Sequence, residues 1–428
     1  MAVARSLAEL FGRRRFAIRP GTGRIKALLD RLGHPERGFR TIHVVGTNGK
    51  GSTAAFLSTI LTTAGYRTGL FTSPHLINYT ERFRVDGTEI PAERLDRLLT
   101  ELFAVAGPDD TFFELTTALA CCWFAENNVQ LAVLEAGMGG RADATAAVPG
   151  VATVITPISL DHQQWLGNDL ATIADEKAAI AEPGCPVVCA PQEPNALTAI
   201  TRHCQQQDNR LVLAEQAFQA SWEADDSICY NGLHSHLDHL RPGIPGTYQL
   251  WNSACALATA ELLIDAGLPV RAEALAGGIA NARWEGRMER FPLPAGVELL
   301  LDGAHNPAGA RALAESLRRE QPSKRIVLVL GIMADKNLTG ILHALLPLAD
   351  QVITVAPDQE RALDAAQLAA HCTAFGNVAT PAGTVAQGLA IAQSQAHPRD
   401  LIVVAGSLFT VGETRALLTG QTSTAVRG

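Results

Sequence analysis

Short aliphatic or β-branched runs alternate with amphipathic stretches along most of this chain. Runs at 41–46, 68–73, 131–137, 151–156 and 186–190, and again at 297–303, 325–331, 351–356 and 401–407, predict strands. Residues 326–330 (Ile-Val-Leu-Val-Leu) and 401–405 (Leu-Ile-Val-Val-Ala) are unbroken apolar runs. Strands covered on both faces read this way, because neither face needs polar side chains. Helical periodicity is expected at 54–64, 92–103, 115–126, 308–320 and 338–349. Strand and helix in turn predict an α/β fold with doubly wound, mostly parallel sheet.

Two stretches break the alternation. Residues 218–248 are polar and rich in Asp, His and Gly, and are expected to form hairpins at the edge of a first domain. Residues 284–296 carry two prolines and a glycine before a fresh strand, which reads as a linker. A boundary near 288 divides the chain into 1–288 and 289–428. The second part, roughly 140 residues, is an ordinary domain size. A length of 428 residues allows two or three domains at about 150 residues each, and the pattern favours two.

Composition narrows the class. Apolar residues at 47% against 18% charged are enough for large buried cores. Thirty-five basic and 43 acidic residues leave a net charge of −8, which argues against a nucleic-acid coat or a polybasic membrane binder. It does not argue against a small polyanion, which needs only a few local cations. Eight irregularly spaced cysteines without a CxxC motif read as free buried thiols in a reducing cytoplasm. Cys185 and Cys189 are four apart but lack a second ligand pair. His234, His236 and His239 have ligand-like spacing, but their polar setting reads as a solvated hairpin face. No signal peptide or membrane-spanning run is visible.

The strongest local chemistry lies at Gly46-Thr47-Asn48-Gly49-Lys50-Gly51-Ser52, between a predicted strand and a predicted helix. Backbone N–H groups in such a loop cradle phosphates, helped by the positive helix end. Lys50 would neutralise the β/γ-phosphates, and the Ser52 hydroxyl would reach Mg²⁺. The loop departs from a strict Walker motif, with Val44 at the first glycine position and Gly51 between lysine and serine.

This wording resembles the ATP loop of the Mur ligase superfamily, and more closely the folylpolyglutamate synthase and dihydrofolate synthase family. Further blocks carry the resemblance in order: 72–76 (Thr-Ser-Pro-His-Leu), 81–85 (Glu-Arg-Phe-Arg-Val), 113–116 (Phe-Glu-Leu-Thr), 134–145, 160–167, 173–177, 284–287 (Trp-Glu-Gly-Arg), 302–307 (Asp-Gly-Ala-His-Asn-Pro), 335–336 and 406–412. They span nearly the whole chain. The resemblance implies a P-loop ATPase domain plus a smaller Rossmann-like C-terminal domain, with ATP between them. It implies an ATP-dependent ligase that adds L-glutamate to dihydropteroate or a reduced folate through an acyl phosphate.

Glu135 ends the run 131–135, and a carboxylate there faces the nucleotide crevice of a doubly wound sheet. The resemblance makes Glu135 a Mg²⁺ ligand alongside Ser52 and Ser73, and His162 the ligand of a second Mg²⁺. Lys177 has Ile173 and Ala181 four positions away and Ala174 and Ile180 three away, so no helical acid pairs with it. A desolvated lysine has a lowered pKa and more neutral amine. The resemblance implies that this amine takes up CO₂ to give a carbamate ligand for the second metal. It also places Arg287 on ATP phosphate, Asp302 at the ribose or adenine side and Asn252 at adenine. His305 stands where a helix opens and is a candidate for the glutamate carboxylate. Phe113, Glu114, Arg141 and Asp143 are candidates for the acceptor pocket.

Departures from the family pattern fall mainly on the acceptor side. Residues 20–24 read Pro-Gly-Thr-Gly-Arg where the family carries a Leu-Gly-Leu-Glu-Arg-like segment, so the acid is missing. Ala146, Ala179 and Tyr248 replace a common Asn, Gly and His. Three rivals remain: a cell-wall Mur ligase, a non-catalytic nucleotide-binding module and an NTPase motor. The 45 residues before Gly46 are too few for the uridine-binding domain of the first. The second needs no Glu135, His162 and Lys177 together. A monomer acting on small molecules in the cytoplasm is expected.

Overall fold

The computed structural model describes residues 2–13 and 21–422. Arg14, Arg15 and Pro20 lie outside the described residues. The chain forms two compact units. The first comprises Met1–Pro74, Thr80–Gly243 and Gln249–Arg283, and the second comprises His75–Tyr79, Ile244–Tyr248 and Trp284–Gly428. The long division thus falls at Arg283, and two five-residue segments from earlier in the chain group with the second unit. No sequence signal marked those segments.

The first unit is built on β1 (Arg40–Val45), β2 (Thr68–Phe71), β3 (Phe83–Val85), β4 (Thr88–Glu89), β5 (Leu131–Glu135), β6 (Gly150–Ile155), β7 (Val187–Cys189) and β8 (Leu211–Leu213). They form one sheet in the order β4-β3-β2-β5-β1-β6-β7-β8. The pairs from β2 through β8 are parallel, and β3 and β4 add an antiparallel edge. All five residues of β5 are buried, as the apolar run predicts. The chain fills one side of β1 with β2 and β5, then crosses to β6 on the other. That reversal is where doubly wound sheets hold ligands, outside the strand C-termini.

The polar stretch forms a second, antiparallel sheet of β9 (Gln219–Trp222), β10 (Ile228–Asn231) and β11 (His236–Leu240), with β10 central. Its inner face carries Ile228, Tyr230 and Leu240, all buried. Buried Glu261, on the helix Gln249–Asp265, anchors that face by accepting hydrogen bonds from Tyr230 Oη and Leu233 N, both at 2.8 Å.

The second unit holds β12 (Glu289–Pro292), β13 (Glu298–Leu301), β14 (Ile326–Leu330), β15 (Gln351–Ala356), β16 (Ala379–Thr384) and β17 (Leu401–Ala405). Their order is β12-β13-β17-β14-β15-β16, parallel except for β12. Alternate residues enter two cores: Leu328 and Leu330 join the helices Pro307–Glu320 and Leu338–Leu345, whereas Val327 and Val329 join Val385–Gln395 and Leu408–Thr419. Both faces are covered, so the run shows no polar alternation.

The stretch expected as a linker, 284–296, is partly strand. Glu289–Pro292 pairs antiparallel with β13, Pro292 opposite Glu298. An edge strand tolerates proline because its outward N–H needs no partner, and the apolar content is low because only one neighbour covers it. The helix carrying Lys177 is Leu170–Ala178. Two tight turns follow it, with Ile180 N donating to Lys177 O and Ala181 N to Ala178 O.

Candidate active site

The segment 46–52 leaves the end of β1 and enters the helix Lys50–Thr63. Its glycines are required by space. Gly46 has φ +147°, and a Cβ there would lie 2.0 Å from Thr156 Oγ1. Gly49 has φ +88°, and a Cβ would lie 2.3 Å from Asn252 Oδ1. The loop is tied to the segment after β6. Thr47 N and Asn48 N donate to Pro157 O at 3.1 and 3.3 Å. Thr47 Oγ1 donates to Ser159 O and accepts from Ser159 N, each at 3.1 Å. Lys50 Nζ donates to Thr47 O at 3.2 Å.

Behind the loop, the side chains are held in sequence. Ser52 is buried, and its Oγ accepts from Gln249 Nε2 at 3.3 Å. Gln249 Oε1 accepts from Asn252 Nδ2 at 2.8 Å. Gln249 and Asn252 share a helix face at a spacing of three, which aims both at the loop. Sequence reasoning named Asn252 and missed Gln249. The spacing was its only signal.

Lys177 is 5% exposed, and its Nζ donates to Gly46 O at 2.8 Å. Burial, with Lys50 adding repulsion, lowers its pKa to about 7. Near neutrality a large share of this amine is therefore uncharged. The turn Gly140 makes this approach possible, because a Cβ there would strike Glu176 O at 2.4 Å and Lys177 O at 2.5 Å. Asp143 is buried, and burial raises its pKa against the pull of its hydrogen bonds and of Lys177. Its carboxylate accepts from Met138 N at 2.8 Å, Thr145 N at 2.9 Å and Thr145 Oγ1 at 2.6 Å.

Glu135 is the last residue of β5 and is buried, with Oε2 accepting from Ser73 N at 3.1 Å. Two of the expected metal ligands, Glu135 and Ser73, are therefore brought together. His162 differs, being exposed at a left-handed position (φ +51°) before the turn Gln163–Leu166. Its backbone N–H donates to Asp161 Oδ1 at 2.8 Å.

The candidates for the acceptor pocket have distinct settings. Phe113 lies under Gly137, whose Cβ would come within 2.4 Å of the ring, and stands 6.0 Å from Phe71. Glu114 caps its own helix, accepting from Thr111 N at 2.7 Å, and pairs with Arg24 at 3.0 Å. The arginine of the divergent segment 20–24 thus keeps a carboxylate partner. Arg141 is exposed and pairs with Asp175 at 3.1 Å and Glu176 at 3.4 Å.

In the second unit, Asp302 is buried at the end of β13 and accepts from Tyr248 Oη at 2.6 Å, Ala304 N at 2.9 Å and Met288 N at 3.1 Å. Burial raises its pKa, with Arg287 opposing. Arg287 donates to Gly286 O at 3.0 Å and packs over Gly303, where a Cβ would lie 2.2 Å from Nη1. His305 Nδ1 donates to Gly303 O at 2.8 Å, which fixes the tautomer. The helix Pro307–Glu320 was expected to offer free N–H groups to an anion. Asn306 Oδ1 already accepts from Gly309 N at 2.8 Å, and Pro307 has no N–H, so fewer donors remain than the pattern suggested.

The zinc spacing at Cys185 and Cys189 has a different explanation. Cys185 Sγ donates to Gly150 O, and Cys189 is a buried strand residue. Among the described residues, no helix is long and apolar enough to cross a membrane.

Comparison with known proteins matches residues 44–260 to the Mur ligase middle domain and residues 286–408 to the Mur ligase glutamate ligase domain. The dihydrofolate synthase/folylpolyglutamate synthase of Bacillus subtilis is 35% identical over 370 residues, covering 82% of this chain and 85% of that protein. The folylpolyglutamate synthase of Mycobacterium tuberculosis, solved complexed with ADP, superposes with TM-score 0.91 at 33% identity over 97% of this chain and 98% of that one. The bifunctional folylpolyglutamate synthase/dihydrofolate synthase of Yersinia pestis, complexed with AMPPNP and a manganese ion, superposes with TM-score 0.88 at 32% identity over 97% and 98%.

Proposed function

The chain belongs to the Mur ligase superfamily, in its dihydrofolate synthase/folylpolyglutamate synthase family, and we propose on that footing that it uses ATP to join L-glutamate to dihydropteroate, to a reduced folate, or to both. One observation carries the reading. The glycine loop after β1 has no room for Cβ atoms, and a nearly neutral lysine is buried on its first carbonyl.

A carboxylate is a poor electrophile. Phosphoryl transfer from ATP converts it to an acyl phosphate, and the glutamate amine then displaces phosphate. Both steps depend on fixed geometry and charge neutralisation. The loop N–H groups and Lys50 receive the phosphates in this proposal. Ser52, Ser73 and Glu135 offer only oxygen donors, which suits Mg²⁺. His162 is proposed for a second Mg²⁺. Bound Mg²⁺ would supply neutralisation of phosphate charge. Lys177 holds Nζ on Gly46 O, and the uncharged share of this amine is the form that takes up CO₂. Carbamylation would turn it into an oxygen donor.

Asn252 packs on Gly49 and is proposed at adenine, while Arg287 and Asp302 are proposed for phosphate and ribose. His305 is proposed for the glutamate carboxylate. Phe113, Glu114, Arg141 and Asp143 are proposed around the acceptor. Glu114 and Asp143 would act there mainly by holding backbone in place, since their oxygens are engaged. A monomer working in the cytoplasm completes the reading.

The test is phosphate release from ATP and Mg²⁺ with glutamate plus either dihydropteroate or tetrahydrofolate. Release with at least one acceptor, dependent on glutamate, is expected. Release only with uridine-linked peptides, or none with either folate acceptor, overturns the substrate assignment.

A further inference from the structure

The outer face of the β9–β11 sheet carries a group of side chains that the ligase chemistry does not use. In the pleat, Cys229 and Asn231 of β10 share that face with His236 and Asp238 of β11, while Ile228, Tyr230 and Leu240 fill the inner one. A register shift opposite Cys229 sets two steps of β10 (Ile228 to Tyr230) against three of β11 (Leu237 to Leu240). The ligand atoms of Cys229, His236 and Asp238 all lie within 4.8 Å of one another. We propose that Cys229, His236 and Asp238 form a binding site for a zinc-like divalent cation, separate from the phosphate loop.

Three features support this site. The first is the donor set. Thiolate, imidazole and carboxylate together suit Zn²⁺ or Co²⁺ and are a poor match to Mg²⁺. A tetrahedral zinc ion holds its donors roughly 3.3–3.8 Å apart, so a small inward rotation of three half-exposed side chains suffices. The fourth position is left to water.

The second is how the imidazole is held. His236 Nδ1 lies 2.8 Å from Asn231 Oδ1, an acceptor-only atom, so Nδ1 carries the proton. Nε2, on the other side of the ring, faces Asp238 Oδ2 at 2.9 Å. Metal-binding histidines are oriented in this manner, with the remote ring nitrogen donating to a carbonyl oxygen. The Cys229 thiol lies within 4.8 Å of the same Asp238 carboxylate. A cation would sit between Nε2, the thiolate and the carboxylate.

The third is contrast with a neighbouring group. Glu223, Asp225 and His239 also approach one another, but Arg241 already holds Asp225 at 2.7 Å, and Ser227 Oγ donates to the Glu223 carboxylate. That group has its own cation and no thiol. Cys229 sits among Gln219, Ser221 and Asn231 rather than in an apolar core, so packing does not account for its side chain. Bound metal would pin β10 to β11 across the register shift.

Titration of the full-length protein with Co²⁺ alone tests the site. A near-ultraviolet sulfur-to-cobalt charge-transfer band, saturating at one equivalent and bleached by Zn²⁺, is expected. No cysteine lies in segment 46–52 or among Ser73, Glu135 and His162, so Co²⁺ at those residues gives no such band. Cys229→Ser should abolish the band, and His236→Ala should weaken Co²⁺ binding at least about tenfold. Asn231→Ala should weaken it about 10- to 100-fold through the loss of ring orientation. His234→Ala should leave it unchanged. Absence of the band, its survival in Cys229→Ser, or equal affinity in His236→Ala overturns the proposal. Ligase activity of Cys229→Ser should remain at the wild-type level.

Discussion

Asp143 and Asp238 are both aspartates that accept side-chain hydrogen bonds, yet their carboxyls shift in opposite directions. Asp143 in the first unit is buried and is raised chiefly by desolvation. Asp238 lies on the open face of the β9–β11 sheet and is lowered, first by its bond to Cys229. The same contrast holds for the cations. Burial with repulsion from Lys50 brings the Lys177 amine to a pKa of about 7, whereas His234, His236 and His239 lie 2.8, 2.9 and 3.2 Å from carboxylates on the exposed hairpin. Both regions are dense in titratable groups, but desolvation dominates in the buried one and neighbouring hydrogen bonds and charges in the open one. Altered groups are candidates for chemistry.

The sharpest way to break this contrast is to remove the charge at the loop. Lys50→Ala should lower glutamate-dependent phosphate release by about 10²–10³-fold, the scale of losing one preorganised donor. Near-wild-type turnover would show that the loop does not hold the transferring phosphate. Next is the shape of the loop itself. Gly46→Ala puts a Cβ 2.0 Å from Thr156 Oγ1 at a backbone angle of +147°. A stability loss of about 1–3 kcal/mol in urea unfolding, together with loss of activity, is expected.

Lys177 sharpens the contrast through pH. Its folded pKa of about 7 lies below the ordinary value of 10.5, so the folded state binds fewer protons than the unfolded state between these values. Its burial therefore opposes folding fully below about pH 7. Stability should rise through the window by at most about 1.4 kcal/mol per pH unit from this group, until the ordinary lysine value is passed. Lys177→Met should flatten that rise in urea melts taken across the window. An identical pH slope in both proteins would show that Lys177 is charged when folded. Asn306→Ala should cost about 1 kcal/mol through the lost bond to Gly309 N, read as a lower midpoint for the second unit. The smallest effect belongs to the open sheet. His234→Ala should change stability by less than about 0.5 kcal/mol and leave ligase activity intact. A larger loss would mean that its pair with Asp265 is coupled to the core.

Much of the fold was legible in the apolar runs. Residues 326–330 and 401–405 are strands because their side chains alternate into two covered cores, and no polar position is needed to orient them. Segment 46–52 was legible because Gly46 and Gly49 mark backbone positions with no room for side chains. The edge strand Glu289–Pro292 was not legible, since a strand with one partner carries neither the apolar content nor the regularity of a central one. Gln249 was missed for a related reason. A buried amide has no motif of its own, and it matters only because Ser52 and Asn252 lie within reach.

The amino-acid sequence by itself determined the α/β class, the phosphate loop and the family, since these rest on local pattern and on ordered blocks of residue identity. Tertiary structure decided the electrical state of the groups. Lys177 and the three hairpin histidines are equally plain in the sequence. Only burial against Gly46 depresses the lysine, and only the pairing of β10 with β11 sets Cys229 beside His236 and Asp238. Desolvation and proximity arise between residues far apart in the chain, so no local pattern encodes them.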